Sequence, residues 1–468
     1  MRYFLDPFGC VKNQVDAENM MAYLGNAGWE YVTDAELADL IIVNSCGFID
    51  SAKQESIDAV IQWRKHFPEK KILLAGCLSQ RYAKELPESL TEADVFMGVE
   101  NIAQVTEKAA DAFSKYIKNG NDKSKIKTGR GSNNSSRLKQ KQEYIVSQGE
   151  RPLLSLPGSA YVKISEGCSN HCSYCAIPLI RGSLVSRSIP DILEECRILL
   201  SRGIRELCII GQDIGAYGTE KLDVEKNSKL PELLNAISTL NGHFWVRLLY
   251  LHPDHFPMQI IDLIEKDNRF LPYFDIPFQH ASPKILAFMN RQLSHQNKTS
   301  ENYLDLLHVI RSRLPHAVIR STFMLGFPGE TEDDFAMLLD FQEKACLDWL
   351  GCFTYSREEG TASYSMKGRV PKKIALARKK LIEEKQIPIT EKKLDCFTGQ
   401  TMEVLTEEKI INDSEIIWLG RLYCQAPDID GAAVIISGKE NGKNLQAGNF
   451  TRCKIIARRG FDLEVRAL

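Results

Sequence analysis

The sequence lacks several features that would classify a protein at a glance. It has no excess of either charge: 59 Lys and Arg stand against 61 Asp and Glu, for a net −2. That excludes a nucleic-acid binder driven by bulk charge, though local basic patches stay open. No apolar run approaches the ~18 residues of a membrane span. The opening MRYFLDPFGC has no basic start leading into a signal core. The chain is therefore expected to be cytoplasmic, with no membrane partner. Internal repeats are absent, and so is the composition of a disordered chain. Hydrophobic residues make up 44% and charged residues 26% of 468 positions, which is a globular balance. At ~100–200 residues per domain, two to four domains are expected.

Cysteine, by contrast, is plentiful. There are 13, an odd number, and several lie inside apolar, strand-like runs. In a reducing compartment disulfides are the wrong default. Some of these thiols are expected to hold metal or serve catalysis, and the rest to be buried as small apolar residues.

Pattern changes divide the chain into four parts. Residues 1–113 alternate short strands (Arg2–Leu5, Leu40–Val43, Ile72–Ala75) with helical spacing (Asp16–Leu24, Ala52–Trp63, Ile102–Phe113). Such alternation predicts an α/β domain with a parallel sheet. Residues 114–150 read as a flexible basic linker. Between Ser114 and Gln142 there are nine Lys or Arg and one acid, Asp122. Residues 151–388 carry six strand candidates separated by helical patterns: Tyr161–Ile164, Leu207–Gly211, Trp245–Tyr250, Tyr273–Pro277, Val318–Leu325 and Leu350–Tyr355. They predict a partial (β/α)6 barrel, whose chemistry gathers at the C-terminal strand ends. Residues 389–468 hold short strands with turns between them, which predicts a small antiparallel β-barrel of OB type.

The most specific motif is Cys168-Ser-Asn-His-Cys172-Ser-Tyr-Cys175, just past the first barrel strand. Three thiolates on one short loop can hold three corners of a [4Fe-4S] cube and leave the fourth iron open to a small molecule. Tyr174 is placed to shield the cluster or touch that ligand. Zinc held with His171 is the plainer reading of the spacing alone. However, no second CxxC pair follows, and the motif opens a six-unit β/α segment. Together these features resemble the radical S-adenosylmethionine (SAM) superfamily. The resemblance implies that SAM chelates the open iron and yields a 5′-deoxyadenosyl radical. That radical removes hydrogen from a carbon no side chain could deprotonate, which is why a cofactor must carry the step.

A second set is dispersed. Cys10, Cys46 and Cys77 each lie just past a strand of the first domain, beside Gly9, Gly47 and Gly76. In a parallel sheet the C-terminal strand ends share one edge, so the three thiols can converge. Three ordinary buried cysteines are the alternative, but equivalent placement at three strand ends argues for a second, auxiliary [4Fe-4S] cluster. Cys196, Cys208, Cys346, Cys352, Cys396, Cys424 and Cys453 sit singly and are read as structural.

Both sets together, with a terminal small barrel, resemble the methylthiotransferase family of radical SAM enzymes, whose C-terminal barrel is a TRAM domain. The resemblance spans nearly all the chain outside the linker. It implies two [4Fe-4S] clusters, with SAM used once as methyl donor and once as radical source, and replacement of a carbon-bound hydrogen by a methylthio group. It carries the six ligands onto Cys10, Cys46, Cys77, Cys168, Cys172 and Cys175. The stretches NSCGFIDSAKQESID, AIPLIRGSLVSR, VRLLYLHPD, YFDIPFQHAS, STFMLGFPGETEDDF and FTYSREEGTAS are similar to the RimO type. This branch modifies the β-carbon of an aspartate in a small-subunit ribosomal protein. The branch acting on tRNA adenosine shows a different sequence after the second cysteine of the first domain and a different stretch where this chain has DIPFQHAS. The implied partners are that ribosomal protein, free or on the ribosome, together with SAM, an external electron donor and a sulfur source.

Charge gives an independent clue. From Leu394 to Leu468 there are nine basic and eleven acidic residues, whereas a barrel gripping tRNA phosphates should be basic. Gln212, Gly326 and Gly329 fall at strand ends or in a glycine-rich turn and are, with Tyr174, the candidate SAM-pocket residues. Asp275 and Gln279 lie on the same rim. His280 is assigned a structural or orienting role, because a radical step needs no general base. Two other functions stay open on sequence alone: a tRNA adenosine methylthiotransferase, and a metal-binding, ribosome-associated module without catalysis.

Overall fold

Strands β1 (Arg2–Pro7), β2 (Glu30–Tyr31), β3 (Leu40–Ser45), β4 (Lys71–Gly76) and β5 (Val95–Met97) form one sheet in the order β2-β1-β3-β4-β5. Every pair in it is parallel. The central strand, LIIVNS, is buried throughout, as a strand covered on both faces must be. Alternation along it decides which side chain meets which face. Leu40 and Ile42 join the core under helices Val11–Asn26 and Val105–Ile117. Ile41 and Val43 join the opposite core, with Val60 of helix Asp50–His66.

The computed structural model describes residues 1–117, 150–220, 227–291, 300–411, 416–436 and 445–468. Nearly all of the expected basic linker therefore lies outside the described residues. The chain forms two compact units, Met1–Leu154 with Ala176–Ser183, and Ser155–Cys175 with Leu184–Leu468.

In the second unit, β6 (Ser159–Lys163) is followed by a two-stranded ladder of β7 (Ser165–Glu166) and β8 (Val185–Ser186). Then come β9 (Glu206–Ile210), β10 (Trp245–Leu248), β11 (Phe270–Asp275), β12 (Val318–Leu325) and β13 (Trp349–Thr354). The large sheet runs β13-β12-β11-β10-β9-β6, six parallel strands in chain order. It is the open, partial barrel expected. The last five strands close on themselves: β14 (Thr401–Ile411), β15 (Ile416–Arg421), β16 (Ala433–Ile436), β17 (Phe450–Arg459) and β18 (Asp462–Ala467). Four of their pairs are antiparallel, whereas β16 and β18 are parallel, because β17 intervenes in the chain. The reading of an all-antiparallel barrel misses this one pair. A helix of 24 residues, Lys372–Asp395, leads into the small barrel and continues through Pro388. The expected boundary at residue 388 falls inside that helix.

A buried ionic network joins the six-stranded sheet to the small barrel. Glu206, at the start of β9, accepts from Arg247 Nε at 2.7 Å, from Ser159 Oγ at 2.9 Å and from Arg421. Arg421 also donates to Glu407 at 2.7 Å. Burial would raise the Glu206 carboxyl, but the two guanidinium groups outweigh it and hold it near 2 instead of 4.5. A carboxylate with a lowered folded pKa stabilises fully above its ordinary pKa, and that stability is lost as pH falls through the folded value. Glu206→Gln should leave the buried Arg247 without a carboxylate and Arg421 with Glu407 alone, and cost about 3–5 kcal/mol. Thermal unfolding should show a lower Tm for the variant at pH 7, with the gap to wild type closing between pH 4.5 and 2. An unchanged Tm at pH 7 would remove the network from the account.

Candidate functional site: two three-cysteine sets

Strands β1, β3 and β4 are neighbours, and their register fixes where their ends fall. Pro7 pairs with Asn44, and Ser45 with Gly76. Cys46 and Cys77 therefore leave adjacent strands at the same level, and Cys10 follows three residues past the end of β1. Close approaches tie the three turns together. A Cβ on Gly9, where φ is +91°, would lie 3.1 Å from Cys46 Cβ. One on Gly47 would lie 2.7 Å from the Cys77 backbone. Only glycine permits these contacts and the positive φ at Gly9.

Asn13 clamps the arrangement. It stands one helical turn after Cys10, hence on the same side of helix Val11–Asn26. Its Nδ2 donates to Phe8 O at 3.2 Å and to Ser45 O at 2.9 Å, while its Oδ1 accepts from Cys77 Sγ at 3.2 Å. The sequence reading missed this residue, although its spacing from Cys10 was the signal. Exposure is graded across the set: Cys10 is exposed, Cys46 half-buried and Cys77 buried. Burial pushes the Cys77 thiol up to about 12 and raises Cys46 as well. Loading a metal centre here displaces thiol protons, so it is favoured by rising pH.

The second set lies in the excursion between β7 and β8. Its loop is pinned to the helix Pro283–Phe288 and the turn after it. Ser173 N donates to Met289 O at 2.9 Å, Ser173 Oγ to Phe288 O at 2.7 Å, and Asn290 Nδ2 to His171 O at 2.8 Å. His171 is itself exposed. Cys168, Cys172 and Cys175 are all half-buried. Asn170 links the loop to the barrel through Asp213 at 2.9 Å. Burial works against the Asp213 charge, but a hydrogen bond from His255 and the nearby His252 hold its carboxyl near 2.

Tyr174 lies in an apolar cluster with Ile285, Met289, Met324 and Phe327, against Cys172 and Cys175. Its hydroxyl accepts from Arg291 at 2.9 Å. Arg291 is only 3% exposed. It also donates to Pro277 O at 2.7 Å, and its Nε has no partner. No sequence pattern pointed to this guanidinium.

Among the described residues, no group of three or more His, Cys, Asp or Glu is gathered tightly enough for a single metal ion. The three thiols of each set instead suit a cluster, in which each ligand binds its own iron. Soft thiolates are also the donors such a cluster takes.

The C-terminal strand edge has buried acceptors without donors: Ser165 Oγ, Gln212 Oε1 and Gln279 Oε1. Gln212 is anchored through Nε2 to Glu166 at 3.0 Å. Gln279 and Tyr250 hold positive φ values of 67° and 69°, rare for non-glycine residues and characteristic of ligand-binding rims. Asp275 closes β11, and its Oδ2 accepts from Tyr250 N at 3.3 Å. Orphan acceptors suit a ligand rich in N–H and O–H donors, and SAM, with its ammonium and ribose hydroxyls, is one.

The glycine-rich turn behaves otherwise. The Gly326 and Phe327 N–H groups donate to Glu330, at 2.7 and 3.2 Å, and Gly329 N donates to Gly368 O at 2.8 Å. These amides are satisfied within the protein. A Cβ on Gly326 would also lie 2.5 Å from Ala375 Cβ, so close packing explains that glycine. His280 is fully buried and held neutral by burial, consistent with a structural role.

Comparison with known proteins covers the chain in three pieces. The family model described as Uncharacterized protein family UPF0004 matches residues 2–98, the Radical SAM superfamily matches 162–341, and the TRAM domain matches 398–468. A protein of Treponema denticola named ribosomal protein uS12 methylthiotransferase RimO is 46% identical over 484 residues, 99% of this chain and 100% of that protein. Those of Syntrophomonas wolfei and Clostridioides difficile carry the same name at 39% and 36% identity, over 97% and 99% of this chain and 97% and 98% of theirs. Among solved structures, the radical SAM methyltransferase TsrM of Kitasatospora setae aligns with a TM-score of 0.53 at 14% identity. The match spans 77% of this chain and 73% of that one, a likeness of fold.

Proposed function

Because the chain belongs to the RimO family of radical SAM methylthiotransferases, we propose that it places a methylthio group on the β-carbon of an aspartate in the small-subunit ribosomal protein uS12. It is an enzyme that uses SAM and [4Fe-4S] clusters. When bound, these supply the radical that breaks a carbon–hydrogen bond and the methylthio group that replaces the hydrogen. The observation that carries the reading is the presence of two separate three-cysteine sets, each at the C-terminal edge of a parallel sheet.

The protein's own residues bind and orient. Cys168, Cys172 and Cys175 hold one cluster, on a loop pinned through Ser173 and Asn170. Tyr174 covers that loop with an apolar face and keeps water from it. Gln212 and Gln279 offer acceptors to SAM. Cys10, Cys46 and Cys77 hold the auxiliary cluster, where the exposed side at Cys10 leaves room for a sulfur species. In domain terms, 1–113 is the methylthiotransferase domain, the radical core begins at 151, and the helix Lys372–Asp395 leads from it into the TRAM barrel. Reductant and sulfur come from outside the chain. No helix among the described residues is long and apolar enough to cross a membrane, which accords with work in the cytoplasm on ribosomal protein.

The test is a competition. Anaerobically reconstituted protein receives SAM, a low-potential reductant, sulfide, unmodified small ribosomal subunits and unmodified tRNA. Mass spectrometry should find the methylthio group on uS12 and none on tRNA. Labelled tRNA with unlabelled uS12 would move the enzyme to the tRNA branch, against the charge of the barrel.

A further inference from the structure

Directly after Cys175 the chain leaves the second unit. Residues Ala176–Ser183 belong to the first, and their short helix, Ile177–Arg181, ends in an arginine that is 6% exposed. The two N–H groups on Nη2 of Arg181 are shared among three acceptors, Asn13 Oδ1 at 2.6 Å, Asp16 Oδ2 at 2.8 Å and Cys77 Sγ at 3.2 Å. A buried guanidinium is costly unless paired, and Asp16 provides its carboxylate. Asp16 alone would satisfy the charge, so the contact with sulfur calls for its own explanation. Ala176 and Ile180 pack beside Cys77 and keep the contact dry. In such surroundings an N–H bond to sulfur is stronger than it would be in water.

Hydrogen bonds to ligand sulfur, net charge and exposure set the reduction potential of an iron–sulfur cluster. A cation that donates to a thiolate favours the reduced, more negative state. We propose that Arg181 is a positioning residue for the auxiliary cluster: it donates directly to Cys77 Sγ, orients that sulfur and raises the potential of the cluster that Cys77 helps to hold. With Cys77 deprotonated, Asn13 supports the arginine rather than the sulfur, since its Oδ1 accepts from the same guanidinium. The inference rests on the assignment of Cys10, Cys46 and Cys77 as ligands.

The experiment uses the full chain carrying Cys168→Ala, Cys172→Ala and Cys175→Ala, so that only the auxiliary set can load. Iron content is measured first. Absence of a cluster in this parent would sink the ligand assignment itself, separately from any role of Arg181. Potentiometric titration followed by electron paramagnetic resonance then gives the midpoint of the auxiliary cluster. Arg181→Gln should shift that midpoint to more negative values at equal iron content, with Arg181→Lys, which keeps the charge, shifting less. A midpoint identical to the parent in the loaded Gln variant would overturn the proposal. Should Arg181→Gln fail to load, Arg181→Lys decides alone: a negative shift supports the role, and an unchanged midpoint refutes it. A purely structural arginine would change the amount of cluster without changing its potential.

Discussion

Cys172→Ala should abolish formation of 5′-deoxyadenosine from SAM, lowering it by more than about 100-fold, the upper range for losing even an outer-shell partner of a metal centre. Cys172 is the middle cysteine of the loop, and it packs against the apolar cluster of Tyr174. Its removal leaves two thiols on a loop whose backbone is still tied to Met289 and Phe288, so the loop should persist while the cluster is lost. Chromatography of a reaction with SAM and dithionite measures the product, and thermal unfolding checks the fold. Product at the wild-type rate would refute the assignment of the loop.

Cys46→Ala should give the opposite pattern. It should leave 5′-deoxyadenosine formation within about a factor of ten of wild type, and methylthio transfer to uS12 should fall to background. The physical reason is that Cys46 is not part of the loop that carries the other set. Cys46 stands at the end of β3 in the first unit, and the Cys168 loop lies in the second. Alanine at 46 removes one thiol and leaves every contact of the Cys168, Cys172 and Cys175 loop in place. Cleavage of SAM without methylthio transfer is thus the expected signature of a lost auxiliary set. Loss of both activities, with the fold intact, would show that the two sets do not work separately.

What the sequence made legible followed from local pattern. All three cysteine-bearing strand ends of the first domain were readable, because apolar runs such as LIIVNSC fix both the strand and its terminus. The order β1-β3-β4, which makes those ends adjacent, was not written in any run. It depends on pairing across the sheet. Two edge strands, Glu30–Tyr31 and Val95–Met97, are too short for periodicity to reveal. Helix Lys372–Asp395 was hidden by Pro388, ordinarily a helix breaker. Packing overrides it here: Gln386, buried two residues earlier, donates to Leu347 O at 2.8 Å and holds the helix against the core. The residues around the sulfurs were the least legible. Arg181 meets Asn13 and Cys77 across long stretches of chain, and Arg291 meets Tyr174 likewise. A charged residue that is buried only by distant partners leaves no signature in its own neighbourhood. The glycine-rich turn Gly326-Phe-Pro-Gly329 reads as a ligand cradle, and its pairing with Glu330 and Gly368 could not be read from its own residues.

We propose that each of the two cysteine sets holds its own [4Fe-4S] cluster. Iron and sulfide analysis with Mössbauer spectroscopy, on wild type and on the two triple-alanine variants, tests it most directly. The account predicts two clusters in wild type and one in each variant, with the missing iron equal in both. A variant that keeps all its iron, or wild type that binds zinc in place of iron at either set, would contradict it.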